Sequence, residues 1–211
     1  MTVAGGSVPL IRKGATFPFK TAAVAWVDLL GYGAMISDAR FNPLHSKASA
    51  AIKRLRAFHQ QVAECSKRSF PTLVMNDGAV AYRDLSLRTN SVTHEFIVNS
   101  WEMFTAIKNA ELAAGHPGPR MIIAAGFRMR GRRARIDQTA GHFGDLMARY
   151  QAKKISAAQA ITEASRITRS LDVIPQLQAN FAFTKAYVAE SEGKAGGFAG
   201  PNCFVDPCLS G

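Results

Sequence analysis

Apolar positions along the chain alternate between short continuous runs and helical repeats. A continuous run at 21–28 (TAAVAWVD) predicts a buried strand that ends in a turn at Gly31 and Gly33. Over 46–67, apolar side chains recur every three or four residues, which predicts an amphipathic helix. The same spacing predicts a second long helix over 93–114.

The later elements complete a mixed pattern. The tripeptide NDG at 76–78 separates two short apolar runs and favours a tight hairpin turn. The segment 120–131 (RMIIAAGFRMRG) predicts a central strand that leads into a basic loop. Helical spacing returns over 143–167 with a break in the middle, and 181–206 predicts a closing hairpin. The order β, α, ββ, α, β, α, β, β predicts an α+β fold, a mostly antiparallel sheet with helices packed on one face.

Composition narrows the class of protein. A chain of 211 residues with 47% apolar residues is long enough for one core, so we expect a single domain over 21–211 after a flexible arm at 1–20. The three cysteines lack zinc-site spacing, which favours a reduced, cytoplasmic protein. No apolar run reaches about 18 residues, so no membrane span is expected. The net charge of +11 favours an anionic partner: nucleic acid, an acidic membrane surface or a phosphorylated small molecule.

Two carboxylates stand out. Asp28 ends the first buried strand and Asp77 lies in the hairpin turn, so the two converge if their strands are neighbours. Paired carboxylates suit Mg²⁺ or Mn²⁺, which prefer hard oxygen ligands together with phosphate oxygens. The following glycines allow backbone N–H groups to approach a phosphate. Two simpler interpretations stay open: Asp77 is an ordinary turn residue, and Asp28 is an N-cap for a helix that begins near Gly31.

Three motifs carry a family resemblance. WVDLLGYG at 26–33 resembles the F-x-D-I-x-G-F-T segment of class III nucleotide cyclase domains, and LVMNDGAVA at 73–81 resembles their K-x-I-G-D-x-x-x-A hairpin. GHFGDLMAR matches their G-x-x-V-N-x-A-x-R helix, with Asp145 at the Asn position and Arg149 at the Arg position. The motifs occur in the family's order, so the resemblance implies a ferredoxin-like class III cyclase domain.

The resemblance also implies a site and a reaction. Asp28 and Asp77 would bind two Mg²⁺ or Mn²⁺ ions on a nucleoside triphosphate, whose 3′-hydroxyl attacks the α-phosphorus as pyrophosphate leaves. Arg149 would stabilise the charge that develops on phosphorus, or else is a solvated arginine paired with Asp145. In the family these acids and the arginine come from different subunits, which implies a homodimer with composite sites. The resemblance implies four further substrate-binding residues: Leu29, Gly31, Tyr32 and Lys194. Lys194 is alternatively a solvated lysine of a loop.

Two positions differ from the adenylyl cyclases. Where those enzymes read adenine with a lysine and an aspartate, this chain has Leu73 and Gln138. Leucine cannot hydrogen-bond a base, and a glutamine amide can satisfy uracil or cytosine. The chain therefore resembles the pyrimidine cyclases of bacterial Pycsar anti-phage systems, with UTP favoured over CTP and a purine nucleotide as an alternative. Asp145 stands where the family contacts ribose, and an acid there can accept hydrogen bonds from the sugar.

Two functions of other classes compete. The basic stretch 127–135 (FRMRGRRAR) is compatible with a nucleic-acid-binding α/β domain. The predicted strands lack an RNP-like aromatic pair, however, and the central strand is apolar on both faces, so we expect no stable nucleic-acid partner. The third possibility is a degenerate cyclase-like domain that only binds a nucleotide or a partner. Retention of both aspartates and of Arg149 argues against it.

Overall fold

The computed structural model describes residues 19–86, 88–129, 138–167, 174 and 176–209. They belong to two compact units, the first up to Arg128 and from Asn180 onward, the second over 129–179. The predicted arm at 1–20 lies almost entirely outside the described residues, as does the basic loop from 130 onward. The proposed domain limits therefore stay a prediction.

The first unit is built on a five-stranded sheet with the strand order β2-β3-β1-β4-β5. The strands are β1 (Phe19–Leu29), β2 (Thr72–Met75), β3 (Gly78–Asp84), β4 (Pro119–Met129) and β5 (Cys203–Val205). β3 pairs antiparallel with both β1 and β2, whereas β5 pairs parallel with β4. The predicted strand, hairpin and central strand are therefore confirmed, and the sheet is mixed.

Six helices are described. In the first unit they are α1 (Tyr32–Asp38), α2 (Ala48–Cys65), α3 (Ser91–Ala113) and α6 (Phe181–Glu192); in the second unit, α4 (Gln138–Gln151) and α5 (Ala157–Arg166). The predicted break within 143–167 is thus confirmed as the interval between α4 and α5. A capping box begins α5: the Gln159 N–H donates to Ser156 Oγ, and the Ser156 N–H donates to Gln159 Oε1.

The main core lies between the sheet and the helices α2 and α3. Alternate residues of β1 face these helices, and they are completely or almost completely buried. This cluster includes Ala23, Ala25, Val27 and Leu29 from β1, Phe58 and Val62 from α2, and Phe96, Met103 and Ile107 from α3. Burial of each large apolar side chain stabilises the fold by roughly 1.5–3 kcal/mol, so this layer fixes the position of β1.

The opposite face of β1 packs against α6. The Trp26 ring contacts Phe183 and Tyr187 edge-on, with ring centroids 5.9 Å and 5.7 Å apart. Helices therefore cover both faces of the sheet, so the predictions of helices on one face and of a closing hairpin are wrong. The last strand of that hairpin is confirmed as β5. The Asn180 side chain caps α6 by accepting a hydrogen bond from the Phe183 N–H at 3.0 Å. Phe181 and Phe183 alternate as in a strand, but Phe183 and Tyr187 lie four residues apart and share one face of the helix.

Candidate metal and nucleotide site

The ends of β1 and β3 bring the two predicted acids together. Asp28 lies opposite Gly78 in the antiparallel register, and Asp77 directly precedes that glycine. The Leu29 N–H donates to the Asp77 carbonyl oxygen at 3.2 Å. Both aspartates are half-buried. The two strands are therefore neighbours, which was the condition for the acids to converge, whereas the role of the acids in metal binding stays a prediction.

The turn that carries Asp77 is tightly constrained. Asn76 has a φ of 57°, in the left-handed region, and its side-chain amide donates to Asp77 Oδ1 at 2.9 Å. A Cβ atom on Gly78 would lie 2.3 Å from Cη2 of Trp26, so the indole requires glycine at this position. Asp77 is thus a turn residue, and its carboxylate still lies beside the end of β1.

The loop after Asp28 turns sharply into α1. Gly31 has a φ of 77° and is the N-cap residue of α1, without a side-chain capping bond. The alternative that Asp28 caps this helix is therefore wrong. The side chains of Leu29 and Tyr32 are buried in the core cluster. Any contact of Leu29 with a substrate must therefore come from its backbone, whereas burial and the Asp77 carboxylate raise the pKa of the Tyr32 hydroxyl.

Burial and nearby charge alter the acidity of Asp28. Burial is the largest cause, and the carboxylates of Glu190 and Asp77 add to it, raising the pKa of Asp28 to about 7. The guanidinium groups of Arg120 and Arg54 oppose this shift. Burial thus disfavours the charged form of Asp28, and a bound cation would offset that cost.

Glu190 and Arg120 were not predicted as neighbours of Asp28. Arg120 Nη1 donates to the backbone carbonyl and to Oε1 of Glu190, both at 3.1 Å, and both side chains are largely buried. Glu190 was missed because its segment was interpreted as a strand. The available signal was the helical spacing of Phe183, Tyr187 and Glu190, which places all three on one face.

A buried ion pair lies behind the same loop. Arg54 Nη2 donates to Glu111 Oε2 at 2.5 Å and to the Leu30 carbonyl oxygen at 2.9 Å. Sequence reasoning missed Arg54 as well. The available signal was its place on the buried face of α2, where it follows Ala51 by three residues and precedes Phe58 by four.

The remaining site prediction in the hairpin concerns Leu73. Leu73 lies opposite Val80, which in turn lies opposite Trp26, so these residues share one face of the sheet with Asp28. Leu73 is half-buried. Lys194 is exposed in the loop after α6, and its role stays a prediction.

The second unit carries the other predicted residues. Gln138 is the first residue of α4; its side chain is outside the described part of the structure. Asp145 and Arg149 are exposed on the same helix. Arg149 donates to both carboxylate oxygens of Glu163 in α5, at 2.7 Å and 3.2 Å. The alternative that Arg149 pairs with Asp145 is therefore wrong, because its partner is Glu163.

The basic stretch that suggested nucleic-acid binding is described only as far as Met129. Within it, the Phe127 side chain is exposed. Arg128 is largely buried and donates from Nη2 to Asp84 Oδ2 at 2.8 Å. This arginine is therefore already engaged by a carboxylate of the sheet.

The donor set fits a hard divalent cation. In the described part of the chain, no group of three or more histidine, cysteine, aspartate or glutamate side chains is placed to hold a metal ion. Asp28 and Asp77 supply carboxylate oxygens only, which Mg²⁺ and Mn²⁺ accept when phosphate and water complete their coordination. Asp28 and Asp77 are thus suited to an ion whose coordination a phosphorylated ligand completes.

Comparison with known proteins supports the fold. No family model and no curated protein matches this chain. The solved structure of the guanylyl cyclase Cya2 is similar, with a TM-score of 0.52 and 14% identity over 90% of this chain and 77% of that one. The chain therefore has the α+β fold of a nucleotide cyclase domain, as predicted. Of the helices that the structure describes, none combines the length and apolar character that a membrane crossing requires.

Proposed function

We propose that this protein is a nucleotide cyclase, a phosphorus–oxygen lyase that converts a nucleoside triphosphate into its 3′,5′-cyclic monophosphate and pyrophosphate. One observation carries the proposal: Asp28 and Asp77 meet at adjacent strand ends, on a fold similar to that of a guanylyl cyclase. Proteins of one fold can catalyse different reactions, so the proposal depends on these two acids and not on the fold alone.

Asp28 and Asp77 would hold two Mg²⁺ or Mn²⁺ ions against the triphosphate. Bound there, such ions neutralise phosphate charge and lower the pKa of the ribose 3′-hydroxyl. The 3′-oxygen forms the new bond to the α-phosphorus, the bond to the bridging oxygen of pyrophosphate breaks, and the hydroxyl proton passes to solvent. Arg149 donates hydrogen bonds to the α-phosphate oxygens as their charge rises, and Lys194 contacts the triphosphate.

We place the composite site in a homodimer. Asp28 and Asp77 belong to the first unit of one subunit, and Arg149 with Asp145 and Gln138 comes from the second unit of its partner. The exposure of Arg149 supports this arrangement, because a solvent-accessible ion pair with Glu163 is easily exchanged for a phosphate. Asp145 accepts hydrogen bonds from the ribose.

The base is a pyrimidine, with UTP favoured. Leu73 presents an apolar side chain on the same sheet face as Asp28, where the adenylyl cyclases have a lysine, and Gln138 reads the base edge. The product is a second messenger of anti-phage defence in the cytoplasm. A guanine nucleotide is the second candidate, because the similar structure is a guanylyl cyclase.

The test is incubation of the purified protein with Mn²⁺ and each of the four nucleoside triphosphates, with products separated by mass spectrometry. We expect cyclic UMP as the main product, cyclic CMP as the next, and no product in EDTA. Cyclic GMP as the main product would overturn the pyrimidine assignment. The absence of every cyclic nucleotide, or salt-dependent RNA binding without turnover, would overturn the cyclase proposal.

A further inference from the structure

We infer that helix α2 positions both acidic turns of the proposed site, with Arg54 and His59 as positioning residues. The inference rests on the proposed function, since it concerns the geometry of the same two carboxylates. Neither residue touches a carboxylate of the pair; each contacts the backbone of the loop that carries one.

Arg54 fixes the loop that follows Asp28. Its Nη2 atom donates to the Leu30 carbonyl oxygen at 2.9 Å, two residues beyond the aspartate. The guanidinium is anchored by Glu111, to which Nε donates at 3.0 Å and 3.2 Å, and the two side chains are 1% and 6% exposed. Because both ends of this bridge are buried and fully engaged, the loop cannot shift without the loss of charged hydrogen bonds.

His59 fixes the turn that carries Asp77. Its Nε2 atom lies 2.8 Å from the Asn76 carbonyl oxygen, so the imidazole carries its proton on Nε2 and donates. The amide of Asn76 in turn donates to Asp77 Oδ1 at 2.9 Å. Through Asn76, His59 thus fixes the side-chain conformation of Asp77.

The two contacts act on one rigid element. Arg54 and His59 are five residues apart in α2, which corresponds to about 7.5 Å along the helix axis, and Phe58 between them is buried in the core. The Leu29 N–H bond to the Asp77 carbonyl joins the two turns directly. The separation of the carboxylates therefore follows from the position of α2, and a two-ion site tolerates little error in that separation.

The decisive variant for Arg54 is the double substitution Arg54→Met with Glu111→Leu. A single substitution leaves one buried charge unpaired, whereas replacement of both partners by apolar groups of similar volume keeps the core intact. The matched control is Arg56→Met, on an exposed position of the same helix. For the second contact, His59→Leu removes the donor and His59→Gln retains one, with exposed His94→Leu in α3 as the control.

The readout is Mn²⁺ binding with and without a non-hydrolysable UTP analogue, followed by electron paramagnetic resonance, together with kcat and KM from steady-state turnover. We expect the double variant to remain folded by circular dichroism and to bind Mn²⁺ about tenfold or more weakly. His59→Leu should show a smaller loss that His59→Gln restores. KM for the nucleotide should change little, and both controls should match the wild type.

Wild-type Mn²⁺ affinity in both the double variant and His59→Leu would overturn the inference. If the wild-type protein binds Mn²⁺ through Asp77 but forms no cyclic nucleotide, the proposed function fails while the binding data still decide the inference. If it binds no Mn²⁺ either with or without the analogue, both fail.

Discussion

Asp28 and Asp77 lie at strand ends that backbone hydrogen bonds, a tryptophan ring and a buried ion pair hold in place, whereas Arg149 lies on an exposed helix and pairs with Glu163. In the first unit, contacts within the fold therefore fix the strand ends that carry Asp28 and Asp77. The second unit presents its arginine on a surface where its partner can be exchanged. The proposed composite site would combine the two kinds of construction: a rigid part that holds ions and an accessible part that a second subunit brings to the substrate.

The largest expected effect is the loss of an acid from the rigid part. Asp77→Asn should lower turnover by about 10³-fold or more, since an amide is a poor ligand for a hard cation. Circular dichroism should show an intact fold, because Asp77 lies in a turn and not in the core. Asp38→Asn, an exposed acid of α1 that pairs with Lys47, is the control. Wild-type activity in Asp77→Asn excludes the metal assignment.

Mixing two inactive chains tests the composite site directly. Asp28→Asn and Arg149→Ala chains, refolded together in equal amounts, should recover about a quarter of the wild-type activity. Half of the random dimers are heterodimers, and each heterodimer has one of its two sites intact. Activity and the heterodimer fraction should be measured on the same sample by native mass spectrometry. Confirmed heterodimers without activity would contradict the shared site.

The next effect concerns the indole that constrains the turn. Gly78→Ala should lower the free energy of unfolding by about 1–3 kcal/mol, because the added methyl group overlaps the Trp26 ring. Gly144→Ala in α4, where a Cβ meets no atom within 4 Å, is the matched control. Denaturant titration measures both. Equal unfolding midpoints for the two variants would show that the strand end is more adaptable than its contacts imply.

Asp206 provides a structural carboxylate to compare with Asp28. Burial alone would raise its pKa, but hydrogen bonds from Lys185, the Ala125 N–H and the Cys208 N–H outweigh burial and lower it to about 2. An acid with a lowered pKa stabilises the fold above the unfolded value near 4, and this stabilisation disappears as the pH falls from about 4 to 2.

Asp206→Asn should therefore lose about 1–2 kcal/mol of unfolding free energy at pH 6 and approach the wild type at pH 2. Urea titrations at pH 6, 4 and 2 measure this difference. A constant difference across the three pH values would show that the loss comes from packing and not from the charge of Asp206.

The smallest effect is expected in the second unit. Glu163→Gln should change the free energy of unfolding by less than about 0.5 kcal/mol, because both members of its ion pair with Arg149 are exposed. Turnover should not fall, since the arginine becomes easier to exchange. Thermal melting and steady-state kinetics check both points; a large loss of stability would mean that α4 and α5 depend on this pair.

Local sequence patterns were sufficient to predict most strands and helices of the first unit. Uninterrupted apolar runs predict β1 and β4, and the Asn-Asp-Gly turn predicts the hairpin that carries Asp77. These signals lie within single segments, so one sequence reveals them. The position of Asp28 beside Asp77 follows once the two strands are assumed to be neighbours.

The residues that were missed depend on distant parts of the chain. Glu111 lies 57 positions from Arg54 and Glu190 lies 70 from Arg120, so no local pattern reports either pair. The prediction of a strand over the α6 segment was wrong for another reason. Its aromatic residues Phe181 and Phe183 alternate as in a strand, while the Asn180 cap and the contact of Phe183 with Trp26 decide for a helix.

The double contact of α2 also bears on which changes of chain length this protein tolerates. An α-helix turns by about 100° and rises 1.5 Å per residue. One residue inserted or deleted between Arg54 and His59 would therefore swing one of them away from its loop, even if every side chain kept its chemistry. We expect related sequences to vary freely at the exposed positions of this segment, and to keep its length constant.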